Sequence, residues 1–298
     1  MKDTHELSEY FLENITEMLS KKGVKTSGWQ EVALHHSPEM NARIAPRFAG
    51  VYCWSTIGKR DVVPYTVANE GYDVILCNVN NLYIDLAYNP HKDEPGLTWG
   101  GYVNEFTSFN ILPYNIYCSA RENTAGEKNN LKTAGKGKIQ LTEQSRPRIK
   151  GVQAQLFSET IGSFDMVQYY IFPKIFGLVE RGWNAYPEWS PVPNDDKQAL
   201  YEKARAIYNA KIAEIELPRL AADGFNFRVA QPGIKIVEGK LYANSPIPQA
   251  KIRYTTDGSE PTATSTLWEA PVDCSATVVK AKLFYLGKES LTTDYKND

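Results

Sequence analysis

Between Gly71 and Gly101 the chain reads GYDVILCNVNNLYIDLAYNPHKDEPGLTWGG, and its chemistry is concentrated there. Asn78, Asn80, Asn81, Tyr83, Asp85, Tyr88 and Trp99 interleave hydrogen-bonding groups with flat aromatic faces. A hydroxyl-rich ligand such as a sugar needs both, partners for its O–H groups and apolar flats for its C–H faces. A polar loop with half-buried aromatics accounts for the same residues, and this stretch alone leaves both readings standing. Just upstream, Val74, Ile75, Leu76 and Cys77 form a short apolar run that predicts a buried strand. In parallel α/β folds, binding groups gather at the carboxyl ends of such strands.

Other candidates stand at the ends of similar runs. Trp29 closes Val24–Gly28, Trp54 closes Gly50–Cys53, and Phe157, Ser158 and Glu159 close Ile149–Leu156. A tryptophan at a strand end fits core packing as well as a pocket wall. Metal chemistry is not indicated, because His5, His35, His36 and His91 show no paired carboxylate spacing. His35 and His36 are adjacent, so they point apart and read as surface. Cys53, Cys77, Cys118 and Cys274 form no CxxC or metal spacing, and the first two, inside apolar runs, read as buried thiols.

The elements that must position these residues alternate. Thr4–Lys22 predicts a helix, with Leu7, Phe11, Ile15, Met18 and Leu19 on one face and Gly23 at its end. A strand to Trp29 follows, then a helix or turn at Pro38–Ala42, the strand Gly50–Trp54, a helix at Val62–Asn69 and the strand Val74–Cys77. Trp99–Asn110 is a mixed loop or helix. Arg121–Arg148, polar and lysine-rich, predicts a mobile surface insertion with a short helix near Leu141. The fourth strand is Ile149–Glu159, followed by a helix over Phe164–Trp183. Alternation of this kind predicts a parallel sheet with crossover helices. Asp195 and Asp196 cap a long helix to about Glu216, its face marked by Leu200, Ala204, Ile207, Lys211 and Ile215. From Val229 the apolar period shifts to two, in Ile234–Ile236, Lys251–Tyr254 and Val278–Leu283, with dense turn signals between.

Bulk properties narrow the classes. At 298 residues the chain holds one large domain and a small one, here 1–228 and 229–298. A net charge of −2 excludes a broad electrostatic footprint for nucleic acid. No segment is long and apolar enough to span a membrane. The first residues, MKDTHELSEYFLENI, have no apolar signal core. If Met1 is the true start, a cytoplasmic chain is expected; if sequence is missing upstream, the compartment stays open.

Several of these segments resemble glycoside hydrolase family 20, the β-N-acetylhexosaminidases. Tyr83-Ile84-Asp85 followed by Pro95-Gly96-Leu97-Thr98-Trp99 is similar to that family's seventh-strand region, and Gly28-Trp29-Gln30-Glu31 to its Gly-Trp-Asp/Gln-Glu element. Gly151-Val152-Gln153-Ala154, Glu159, Phe172-Pro173-Lys174 and Glu180-Arg181-Gly182-Trp183 resemble its eighth-strand block. Phe157 departs from that pattern, standing where the family usually has tryptophan. The resemblance implies the C-terminal half of a (β/α)8 barrel, about four βα units corresponding to strands five to eight, followed by a small β-sandwich. It also implies a periplasmic or secreted compartment if upstream sequence is missing.

What the family's chemistry would ask of this chain follows from the same resemblance. The substrate's own 2-acetamido oxygen attacks the anomeric carbon, so the enzyme supplies a general acid rather than a nucleophile. Tyr83 would orient the acetamido group, and Asp85 and Glu159 would accept from the sugar's outer hydroxyls. Trp29, Trp54 and Phe157 would box the acetamido methyl and ring face, with Trp99 toward the leaving group. No cofactor is implied. The family's acid pair lies in a His-x-Gly-Gly-Asp-Glu element that does not occur here; the only Asp-Glu, Asp93-Glu94, reads as solvated surface. Four parallel strands leave two sheet edges unpaired. The expected partners are therefore an N-acetylhexosamine-terminated glycan and a missing N-terminal barrel half or a second copy. A non-catalytic glycan-binding or scaffold protein of the same fold is the alternative.

Overall fold

The computed structural model describes residues 4–296. Met1, on which the expectation about the chain's start turns, lies outside them. The chain divides into two compact units, one of residues 1–89, 96–160 and 174–201, the other of 90–95, 161–173 and 202–298.

In the first unit, α1 (Thr4–Ser20) leads to β1 (Thr26–Trp29), α2 (Pro38–Ile44), β2 (Phe48–Cys53), α3 (Val63–Asn69) and β3 (Val74–Leu76). Two short helices follow, α4 (Val79–Leu82) and α5 (Glu105–Phe109), before β4 (Ile149–Val152). The strands form one parallel sheet in the order β1-β2-β3-β4, with Trp29 opposite Tyr52, Cys53 opposite Leu76, and Leu76 opposite Val152. Each parallel step requires a crossover, which is why helices alternate with strands. Val51, Cys53, Val74 and Leu76 are fully buried and pack with Ile44, Tyr65, Val67 and Tyr72. The alternation expected from the sequence is therefore present, as a four-stranded parallel sheet. Cys53 and Cys77 are buried free thiols, and burial pushes Cys77 up to about 12, which keeps it inert.

Helix α1 corrects the sequence reading. Of its expected apolar stripe, Leu7, Phe11 and Met18 are exposed while Ile15 and Leu19 are half-buried; Leu12 packs against the core, and polar groups add to the contact. Arg43 Nε donates to Glu13 at 2.8 Å, and Arg47 Nη1 donates to the Glu13 carbonyl at 3.1 Å. Periodicity shows that a helix has an apolar side; it does not show which side the rest of the fold takes. The segment 121–148 is likewise more than a solvated insertion. Leu131 is buried, Asn69 donates to the Gln140 carbonyl at 2.9 Å, and Lys138 pairs with Asp61. A 3-10 turn at Glu143–Arg148 stands where a short helix was expected nearby.

The single helix expected over 164–183 is two, α6 (Phe164–Ile171) and α7 (Lys174–Trp183). Pro173 has no N–H for a helical bond and forces the break. Within the first unit, α7 lies against α5 at Gly177, where a Cβ would come within 2.3 Å of the Phe109 nitrogen.

In the second unit, α8 (Gln198–Lys211, which begins in the first) runs through a π-turn (Ile212–Glu216) into α9 (Leu217–Ala222). Its buried face is Tyr201, Tyr208, Ile212 and Leu217; Leu200, Ile207 and Ile215, the expected face, are exposed. The tyrosines carry the longer apolar bodies, and the stripe they define wins. Strands β5 (Gly233–Val237), β6 (Lys240–Asn244), β7 (Lys251–Thr255), β8 (Thr266–Leu267), β9 (Val272–Asp273), β10 (Val278–Tyr285), β11 (Lys288–Glu289) and β12 (Thr293–Lys296) follow. They make two antiparallel sheets, β5-β6-β9 and β11-β10-β7-β8 with β12 on β10, which share a core of Ile234, Ile236, Leu241, Tyr254, Trp268, Cys274 and Val279. The period-two reading of this region holds.

Glu94 is the other correction. Asp93 is exposed as expected, but Glu94 is buried in a bidentate pair with Arg228, whose Nη2 donates at 2.9 Å, and it also accepts from Tyr169 Oη at 2.7 Å. A carboxylate this buried persists because it is paired and hydrogen-bonded.

Candidate active site

Because the strands are parallel, the residues just past β2, β3 and β4 emerge on one edge of the sheet. Trp54 follows β2 directly. Past β3, α4 turns the chain so that Tyr83 forms a parallel bridge with Gln155, beyond β4. The rings converge: Trp54 and Tyr83 are stacked with centres 6.4 Å apart, and Trp99 stands edge-on to both, at 6.2 and 5.9 Å. Phe157 stands edge-on to Tyr83 at 5.4 Å. Trp99 is 52% and Phe157 38% exposed, so the group presents aromatic faces to solvent while Tyr83 stays buried. Offset and edge-on packing of this kind holds aromatic rings in place.

Backbone and carboxylate contacts fix the nest. Gln30, 1% exposed, accepts from the backbone N–H groups of Trp54 and Ser55 at 3.0 Å each through Oε1. Glu31 accepts the Trp54 indole N–H at 3.1 Å. Trp29, from the same Gly-Trp-Gln-Glu run, packs edge-on against Tyr52 at 6.0 Å, so that run reaches the Trp54 ring through Glu31. The turn carrying Trp99 is set by Gly96 at φ +118°, where a Cβ would lie 2.6 Å from the Ala87 nitrogen.

Asp85 is 4% exposed, and no donor among the described residues reaches its Oδ1. Burial lifts its carboxyl above the ordinary value. The N–H groups of Asp85 itself and Phe157, and the Lys174 ammonium, pull the other way, while Glu159 pushes it up. The exposed Glu159 therefore lies near enough for its charge to be felt. Burial also lifts the Tyr83 phenol, with Cys77, Asp85 and Glu31 adding to the effect, so Tyr83 is an O–H donor at any neutral pH.

Sequence reading passed over the most buried member of the site. Lys174 is fully buried; its Nζ donates to the carbonyls of Ile84 at 2.8 Å and Leu86 at 2.6 Å and lies 3.7 Å from the centre of the Tyr88 ring. It braces the backbone on both sides of Asp85. The signal available was a lysine directly after Phe172-Pro173, opening an apolar-faced helix. Gln30 and Glu31 were visible as a motif, and their roles as supports for Trp54 were not.

Comparison with known proteins places the chain. Residues 1–186 match the model of the glycosyl hydrolase family 20 catalytic domain, and residues 216–290 that of the chitobiase/β-hexosaminidase C-terminal domain. The chain belongs to glycosyl hydrolase family 20. It is 28% identical over 273 residues to N,N'-diacetylchitobiase of Vibrio harveyi, covering 86% of this chain and 29% of that protein. It is 25% identical to a β-hexosaminidase of Porphyromonas gingivalis, covering 93% and 30% respectively. Among solved structures, an inactive mutant of a family 20 exo-β-N-acetylglucosaminidase from Vibrio harveyi aligns with a TM-score of 0.50 and 22% identity, over 76% of this chain and 28% of that one. The chain thus spans under a third of the length of these relatives.

Proposed function

We propose that this chain provides the sugar-receiving part of a β-N-acetylhexosaminidase site: residues 1–228 as strands five to eight of a (β/α)8 barrel, and 229–298 as an accompanying β-sandwich. The observation that carries the reading is the aromatic nest of Trp54, Tyr83, Trp99 and Phe157 beside a buried carboxylate with an open acceptor. Aromatic faces receive the C–H face and acetamido methyl of the sugar, with Trp29 as an outer wall. Asp85 Oδ1 accepts a sugar hydroxyl, a bond that charge makes stronger than a neutral one. Glu159, exposed beside it, accepts a second.

Tyr83 donates its O–H to the acetamido group and holds it in line with the anomeric carbon. The acetamido oxygen then closes on that carbon as the leaving oxygen departs with a proton. The proton donor and its Asp partner come from outside these 298 residues, since the sequence has no His-x-Gly-Gly-Asp-Glu element. A preceding barrel half would complete both the sheet and the site.

Release of 4-nitrophenol from its N-acetyl-β-glucosaminide is to be measured with this chain alone and mixed with a separately produced preceding half of a family relative. Activity in the mixture only is the expected result. Turnover by the chain alone would mean that another carboxylate serves as acid and overturn the split-site reading. A folded chain that binds N-acetylglucosamine but is silent in both arms would be a glycan-binding protein of the same fold.

A further inference from the structure

Away from the sheet edge, three side chains distant in sequence converge on one oxygen. His5 and Glu9 lie one turn apart on α1, and His36 lies in the loop before α2. The His36 ring, 5% exposed, has Nδ1 3.0 Å from Glu9 Oε1, and His5 Nε2 is 3.4 Å from the same atom. All three possible ligand atoms lie within 4.8 Å of one another. The reading of His36 as a surface residue, and of the histidines as lacking a carboxylate, is therefore corrected.

The contacts around these rings suit a shared cation. His36 Nε2 is 3.1 Å from the Val32 carbonyl, an acceptor, so that nitrogen carries a proton. A neutral ring then turns the Nδ1 lone pair on the Glu9 carboxylate, acceptor against acceptor. His5 Nε2 likewise faces two acceptors, Glu9 Oε1 and the His35 carbonyl at 3.1 Å. The two rings are stacked, 6.1 Å apart and 14° from parallel, on the same side of that carboxylate oxygen. One shared divalent cation leaves both rings neutral and satisfies Nδ1, Nε2 and Oε1 together.

We propose that His5, Glu9 and His36 form a zinc-type divalent metal site that staples α1 to the loop after β1. Two imidazole nitrogens and one carboxylate oxygen are a donor set suited to zinc. With zinc bonds of about 2.0–2.2 Å, tetrahedral ligand atoms stand roughly 3.3 Å apart, close to the two separations seen here. The third pair also lies within 4.8 Å. The Val32 carbonyl fixes the His36 tautomer, the usual outer support of a metal-bound histidine. The staple would tie down the first turns of α1, where Leu7 and Phe11 are exposed.

The test is calorimetric titration of zinc chloride into the untagged, chelator-treated full chain, with Co2+ as a visible-absorption probe. The expected result is one zinc per chain and a tetrahedral cobalt spectrum without thiolate charge-transfer bands. His36→Gln and His5→Gln should each weaken zinc binding at least about tenfold, the least that loss of even an outer support costs. Circular dichroism checks the fold, and His5→Gln, at a half-exposed position, serves if His36→Gln does not fold. Failure to bind zinc at one per chain, unchanged affinity in the folded variants, or thiolate bands placing the metal on a cysteine would each overturn the site. None of these outcomes bears on the sugar site.

Discussion

Trp54 and Tyr83 lie face to face, ring centres 6.4 Å and planes 24° apart, although they leave the ends of different strands. The pair is the floor of the aromatic nest, and the Tyr83 hydroxyl is its one O–H donor. Tyr83→Phe keeps the ring and removes that donor. Binding of N-acetylglucosamine, followed by NMR titration, should weaken about tenfold, as loss of one hydrogen bond of roughly 1.4 kcal/mol requires. Unfolding in urea should barely change. Unaltered affinity would remove Tyr83 from the site.

Asp85 should set stability and binding against each other. Its folded carboxyl holds a proton more tightly than the unfolded chain does, because burial outweighs the N–H groups and Lys174. Between the ordinary carboxylate value and the raised one the folded state binds more protons, so stability falls as pH rises through that window. Asp85→Asn should abolish this slope and raise stability at neutral pH by about 1 kcal/mol, within the usual range for single substitutions. Sugar affinity should meanwhile drop, since a charged acceptor becomes a neutral one. Thermal melts from pH 4 to 8, paired with sugar titration, read both; a destabilised variant with normal affinity contradicts the assignment.

Lys174 is a bracing residue, and its removal should be costly. Lys174→Met preserves bulk but leaves the Ile84 and Leu86 carbonyls without their buried donor. A loss of about 2–4 kcal/mol is expected from two orphaned acceptors, measured by urea denaturation. Lys174→Arg should not rescue, because a guanidinium is too large for a fully buried ammonium site. A stable Met variant would show that water reaches those carbonyls.

The Glu94–Arg228 pair gives a test in the second unit. Glu94→Gln leaves a buried guanidinium without its counter-charge and should destabilise that unit by roughly 3–5 kcal/mol. Differential scanning calorimetry should show the shift, and it should be smaller for Asp93→Asn, whose side chain is exposed. Equal shifts would place Glu94 in solvent, as its sequence neighbourhood suggested.

Much of the architecture was written in local pattern. The order of strands and helices, the switch to period two after Val229 and the buried Cys53 and Cys77 all followed from short apolar runs and their punctuation, because burial on one face leaves a period in the sequence. Family motifs around Tyr83, Asp85 and Glu159 made those residues visible before any geometry. What no period records is which element lies across from which. Leu7, Phe11 and Met18 of the α1 stripe pointed outward, α8 chose Tyr201 and Tyr208 over Leu200 and Ile207, and Glu94 found Arg228 134 residues away. The same holds for Lys174 beneath Asp85, Glu31 on the Trp54 indole and His36 against Glu9. The sequence by itself determined the elements and the kinds of side chain at the strand ends. Only the tertiary structure decided which polar groups meet, because a buried charge is stable just where long-range packing brings it a partner.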